Sequence, residues 1–159
     1  MIKTTLKNIE LISSYLHDAL ILSTKELYDK NNKIFTLNLE RVFYENGRKE
    51  KFFFIVPMHR FKTIESKLLI TDVNSFSQRY IDKELNSFGE QYRLLEIELK
   101  EKNDLRIIGE HIEIILTVTN NSNIILEDTS IPSKKYKVTD LSRTIFPGLD
   151  EIEKLKYGT

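Results

Sequence analysis

Residues 35–43 constrain the fold more than any other stretch of the chain. Phe35, Leu37, Leu39 and Phe43 fall on one face of an extended backbone, with Arg41 in phase among them, while Thr36, Asn38 and Glu40 fall on the other. A helix repeats about every 3.6 residues and would scatter these side chains around its circumference. A period of two specifies a strand with one buried face. The polar run Asp29-Lys30-Asn31-Asn32-Lys33 before it is a turn, and Leu20 to Tyr28 before that is compatible with strand. After it, Asn46-Gly47 separates two strand-like runs. Both residues tolerate positive φ, so the pair predicts a hairpin with Lys51 to Val56 as its return strand. Pro57 has no N–H to give a ladder, so it ends that strand or marks a bulge or edge. Arg60 to Ser66 continues the strand or forms another.

The same pattern resumes at Arg93. Leu95, Ile97 and Leu99 alternate with Glu96, Glu98 and Lys100, and Lys102-Asn103-Asp104 makes a turn. Ile112, Ile114, Leu116 and Val118 form a further alternating row. Asn120 to Asn123 predicts a second hairpin turn, with Ile124 to Thr129 returning and Lys134 to Asp140 adding a short strand. Ahead of all this, Ile9, Ile12 and Leu16 make a narrow helical stripe over residues 8–18 behind Asn8 as N-cap. Residues 71–92 lose the alternation and are taken as a connector with one weak helix capped by Ser75. Leu149, Ile152 and Leu155 give one or two helical turns near the end.

These patterns predict one α+β, β-rich domain over residues 1–159. It consists of two antiparallel β-meanders, over about 20–66 and 93–140, with an N-terminal helix covering one sheet face or a barrel mouth. The halves share a plan and not residue identity. Both a duplication and the ordinary spacing of antiparallel proteins account for that. No strand is followed closely by a long helix, which argues against a βαβ plan. A chain of 159 residues buries enough surface to fold with neither metal nor disulfide.

Composition removes several chemistries. There is no cysteine, and hence no disulfide, thiolate metal site or thiol nucleophile. The 24 basic and 24 acidic residues cancel, which argues against a nucleic-acid partner, since that binding runs on phosphate neutralisation. The longest apolar run, Phe52 to Val56, is five residues, where a membrane span needs about twenty. No apolar signal core opens the chain, so a cytoplasmic protein is expected. The five glycines are too dispersed for a phosphate-binding loop or a dinucleotide fingerprint, and no cofactor is expected. His17, His59 and His111 are likewise dispersed, and no metal site is expected.

Three residues stand out as weak binding candidates: His17, Asp18 and Arg41. His17-Asp18 sits where the helix yields to the first strand. The preferred reading is structural: the histidine complements the helix dipole and the short acid serves the turn. The alternative is a general base oriented by its neighbour. Arg41 shares the apolar face of the best strand. It is expected near the rim of the sheet, its stem packed and its head in water. The alternative is a pocket for an acidic ligand, and a buried arginine would need a carboxylate or several carbonyls. His59-Arg60-Phe61-Lys62 reads as a solvated edge, and Phe52-Phe53-Phe54 as a strand covered on both sides or an exposed association patch.

Leu16-His17-Asp18-Ala19 after a helix, then the strand Phe35 to Phe43, a hairpin and a return strand, resembles an uncharacterised bacterial domain-of-unknown-function family seen mostly in alphaproteobacteria. Leu94-Leu95, the alternating strand near Ile112 and Ile124 to Glu127 extend the likeness over most of residues 9–141. The resemblance implies an architecture and no reaction. A weaker likeness, over residues 16–44, is to small bacterial toxin-immunity proteins. The expected function is a non-enzymatic binding or protein-interaction module, with an unknown protein partner or self-association through a strand edge. The alternatives are a toxin-immunity protein and an enzyme whose pocket joins Arg41 to His17 or His59.

Overall fold

The alternating rows become strands of a single antiparallel sheet, shown by a computed structural model that describes residues 1–52, 56–81, 92–133, 137–139 and 149–157. The chain opens with β1 (Ile2–Thr5), followed by α1 (Ile9–Leu16), β2 (Leu20–Ile21) and β3 (Tyr28–Asp29). Two long strands, β4 (Ile34–Phe52) and β5 (Val56–Ile70), come next. They are followed by β6 (Ser75–Tyr80), β7 (Tyr92–Lys100), β8 (Asp104–Gly109) and β9 (Ile112–Thr117). The last elements are β10 (Asn123–Asp128), β11 (Lys137–Thr139) and α2 (Leu149–Tyr157). Neighbours run β1-β10-β5-β4-β2-β7-β8-β9-β6, with β11 also on β5 and β3 also on β4.

The core forms where the inward rows meet. Phe35, Leu37 and Leu39 of β4 are fully buried, as are Ile70 of β5 and Ile107, Ile112, Ile114 and Leu116 of β8 and β9. Helix α1 lays Ile9, Ile12, Tyr15 and Leu16 into the same core, beside β7. Helix α2 inserts Ile152 and packs against β1 and α1. The turn before β4 is held by Asp29, whose Oδ1 accepts from the N–H groups of Asn31 and Asn32, while Lys33 takes a positive φ of 54°. The Asn32 backbone and side-chain hydrogen bonds hold the Asp29 carboxyl below its ordinary value.

The α+β, β-rich antiparallel class is as expected, but several local expectations are corrected. Asn46-Gly47 is not the hairpin turn. It lies inside β4, where the register against β5 shifts between Phe43 and Arg48, and the ladder runs on to Phe52↔Val56. An Asn-Gly pair suits an irregular strand position for the same reason it suits a turn, because both residues reach unusual φ and ψ. Residues 75–80 are a strand, not a capped helix, and pair with β9 over Ser75↔Thr117 to Tyr80↔Ile112. Phe76 stacks on Tyr28 and lies beside Phe35. These tertiary contacts suit a strand that alternates half-buried and exposed side chains.

Asn120 to Asn123 does not close a hairpin either. β10 leaves β9 and crosses to sit between β1 and β5. The two presumed halves are therefore interleaved. Asn8 stands at the N-cap of α1 but makes no side-chain cap bond. Its Nδ2 instead donates to Thr4 Oγ1 at 2.6 Å. On β7 the inward residues are Leu94 and Ile97, with Leu95 and Leu99 left exposed at 37% and 38%. The reason is a bulge: Leu94 pairs with Gly109 and Glu96 with Ile108, so Leu95 is the extra residue. A Cβ on Gly109 would meet Ile112 Cγ2 at 2.8 Å and the Arg93 carbonyl at 3.1 Å. Phe53 and Phe54, most of the presumed strand at 134–140 and residues 82–91 lie outside the described residues.

Candidate interaction site

The polar residues that share the core phase come first. Arg41, Ser66 and Asp128 sit on neighbouring strands β4, β5 and β10, and each continues an inward apolar row. Ser66 lies directly opposite both Leu39 and Asp128, which places Arg41 one diagonal step away. Arg41 is 1% exposed and is not at a wet rim. Its Nη2 donates to Asp128 Oδ1 at 2.8 Å, its Nε to Ser66 Oγ at 3.1 Å and its Nη1 to the Val42 carbonyl at 3.1 Å. Ser66 Oγ donates to the same Asp128 oxygen at 2.8 Å. The guanidinium lies over the Tyr15 ring, 4.7 Å from its centroid, and beside Phe43 at 5.6 Å. Lys156 of α2 reaches Asp128 Oδ2 at 3.8 Å. Burial pushes the Asp128 carboxyl up, but the Arg41 charge, the Ser66 and Arg41 hydrogen bonds and Lys156 outweigh it and hold the group below its ordinary value. This is the partner set a buried guanidinium requires. It fastens β4, β5, β10, α1 and α2 together.

His17 is the C-cap residue of α1 and is 45% exposed. Its Nδ1 lies 3.4 Å from Asp18 Oδ2. Asp18 has a positive φ of 66°, its N–H donates to the Leu94 carbonyl, and its other oxygen lies 3.7 Å from Arg93. The pair therefore turns the chain out of α1 and hands it to β7. Tyr44 lies between the two groups of candidates: burial and then the Asp18 charge push its hydroxyl up, against the pull of Arg41. Its ring sits 5.9 Å from Tyr15. His59 pairs through its backbone with Lys49 and Thr139, and its side chain lies outside the described residues. Among the described residues, no cluster of three or more His, Asp or Glu side chains is placed to hold a metal ion.

A different feature was missed from sequence. β2 pairs with β7 only at Tyr92 and Arg93. Beyond them, α1 runs along that edge in place of a strand. Leu94 donates to the Ala19 carbonyl, and the Ile97 N–H donates to Ser13 Oγ at 2.7 Å. Antiparallel ladders alternate the direction of successive N–H groups. Since Ile97 points its N–H away from β8 and toward α1, Leu99, two residues on, points its N–H and C=O the same way. Among the described residues no strand pairs with that edge past Arg93.

The edge borders a groove of 590 Å³ lined by Leu6, Lys7, Ile9, Glu10, Ser13 and Ser14 on one wall and by Glu96 to Leu99 of β7 on the other. A second hollow of 460 Å³ adjoins it through Ser13, Ser14 and Glu96 and reaches His17, Leu95 and Ile108. Of the three predicted site residues, only His17 lines this trough. Asp18 stands behind it, and Arg41 lies beneath α1 through Tyr15. The signals for the groove were the early end of the β2 match and the glycine that makes the bulge at Leu95. No family model, no curated protein and no solved structure matches the chain.

Proposed function

We propose that this protein is a non-enzymatic protein-interaction module of the cytoplasm, and that its contact surface is the trough between α1 and β7. One observation carries the reading: the backbone edge of β7 at Leu99 is set in a concave wall, with Leu95 and Leu99 exposed beside it. An open strand edge is a template for another chain, and proteins normally cover or charge such edges. Here it is bordered by a groove within the size range of ligand sites. The polar residues with most chemistry to offer support the same reading, since Arg41, Ser66 and Asp128 are spent on joining elements.

Selection from a randomised displayed-peptide library tests the proposal. Enriched peptides should slow amide hydrogen exchange at residues 96–100 and along α1, and should compete with one another. Binders that protect only other segments, or no enrichment above a blank surface, would reject the trough as the contact surface.

A further inference from the structure

Resting on that reading, we infer that the occupant of the trough is an extended, cationic peptide segment that adds one short strand to the edge of β7. The backbone supplies the geometry. By alternation, the C=O of Ile97 and the N–H and C=O of Leu99 face the groove, which is enough to register two or three residues of an added strand. Ser13 already occupies the Ile97 N–H, so the ladder begins one step beyond it and runs toward Lys100. The walls supply the charge preference. Glu10, Glu96 and Glu98 line the groove against Lys7 alone. Glu98 is engaged by Lys100 at 2.6 Å, which leaves Glu10 and Glu96 on opposite walls facing the space between. Side chains of an added strand alternate between the two faces, so a basic residue at every second position meets these carboxylates while the others cover Leu99 and Ile9.

A second copy of this chain fits less well. Its own β7 edge is recessed behind its own α1, and two recessed edges cannot meet, whereas a thin extended segment enters freely. An anionic segment would bring like charges together on both walls.

Fluorescence anisotropy with three labelled peptides tests this: valine alternating with lysine, with glutamate and with threonine. The lysine peptide should bind at least about tenfold more tightly than the glutamate peptide and weaken as salt rises toward about 0.5 M. Leu99→Pro removes the free N–H without taking a bond from the β8 ladder, and should reduce binding about tenfold or more. Ser14→Trp fills the trough from an exposed helix position and serves if the proline variant does not fold; it should act alike. Glu96→Lys should reverse the order of the lysine and glutamate peptides.

Equal or tighter binding of the threonine or glutamate peptide, still lost in Ser14→Trp, would overturn the cationic preference and leave the trough standing. Binding of the lysine peptide that neither Leu99→Pro nor Ser14→Trp weakens would overturn the strand-addition geometry. Concentration-dependent self-association in sedimentation velocity that Ser14→Trp abolishes would overturn the peptide in favour of a second copy. Failure of all three peptides to bind would overturn the trough itself.

Discussion

Removing the Asp128 carboxylate should unfold the protein at markedly milder conditions, because it strands a charge that water cannot reach. Arg41 is 1% exposed and donates to Asp128 Oδ1 at 2.8 Å. Removing one member of a buried ion pair costs about 3–5 kcal/mol. Two features reduce that here. Asp128 is itself 21% exposed, and Arg41 keeps Ser66 Oγ, the Val42 carbonyl and the Tyr15 ring. Asp128→Ala should therefore cost about 2–4 kcal/mol, a fall in Tm of roughly 5–15 °C for a chain of this size. Urea unfolding followed by circular dichroism measures it. Arg41→Met alone should also destabilise, and the double variant should cost less than the sum by about 1–3 kcal/mol.

The pH dependence has a fixed sign. The folded carboxyl lies below its unfolded value, so its contribution is complete above the unfolded pKa of about 3.9. It is lost as pH falls through the folded pKa, and Asp128→Asn should flatten that part of the acid limb. A loss near that of an exposed pair, below about 1 kcal/mol, or strict additivity in the cycle, would refute a dry guanidinium.

Gly109→Ala should destabilise by about 1–3 kcal/mol in urea, because the added Cβ meets Ile112 and the Arg93 carbonyl at the bulge; an unchanged midpoint would mean that the bulge is absent in solution. Asp18→Gly and Asp18→Ala both lose the carboxylate, but only glycine relieves the positive φ of 66°. The alanine variant should be less stable than the glycine variant by about 1–2 kcal/mol, and equal Tm values would show that residue 18 matters through charge alone. Tyr44, pushed up by burial and Asp18, should titrate above an ordinary tyrosine in the absorbance difference between wild type and Tyr44→Phe.

Strands were legible wherever one face is apolar and the other polar. Phe35, Leu37 and Leu39 carry that signal, and all three are buried. What failed was pairing. Alternation says that Ile124 and Leu126 face a core and is silent about whether the neighbour is β9 or β5. The turn residues misled for a related reason: Asn46-Gly47 reports unusual φ and ψ, which a mid-strand irregularity also needs. Ser75 to Tyr80 has too few apolar residues to show a period, and its strand form is imposed by β9 and by Tyr28 and Phe35.

The Arg41 site was half legible. Its phase was clear, but its burial was not expected, and whether a buried guanidinium there would meet a carboxylate or carbonyls stayed open. Asp128 carries the matching signal, as the polar end of the row Ile124, Leu126, Asp128, and Ser66 interrupts the row Ile64, Leu68, Ile70 in the same way. Three in-phase polar residues could have been matched to one another; what sequence lacked was the strand order that brings them together. The trough left little more than the glycine at the Leu95 bulge, because an unpaired edge is defined by which strand stops short beside it.

Helix α1 links the two sites. One side of it places Tyr15 under the Arg41 guanidinium, and an adjoining side places Ser13 on the Ile97 N–H with Glu10 and Ser14 over the groove. Residues 13 and 15 are too close along a short helix to move independently, so the distance between α1 and the β7 edge is set from beneath by the Arg41 network. An isolated eight-residue helix has too few turns to hold itself in water, and its placement comes from docking. Arg41→Met should therefore weaken peptide binding in the trough even under conditions where the variant is fully folded, although residue 41 does not line it. Anisotropy with the lysine peptide, at a temperature well below the variant's Tm, measures this. Unchanged affinity would mean that the groove is held by Ser13 and the core residues of α1 alone, and that the buried ion pair serves stability without shaping the surface.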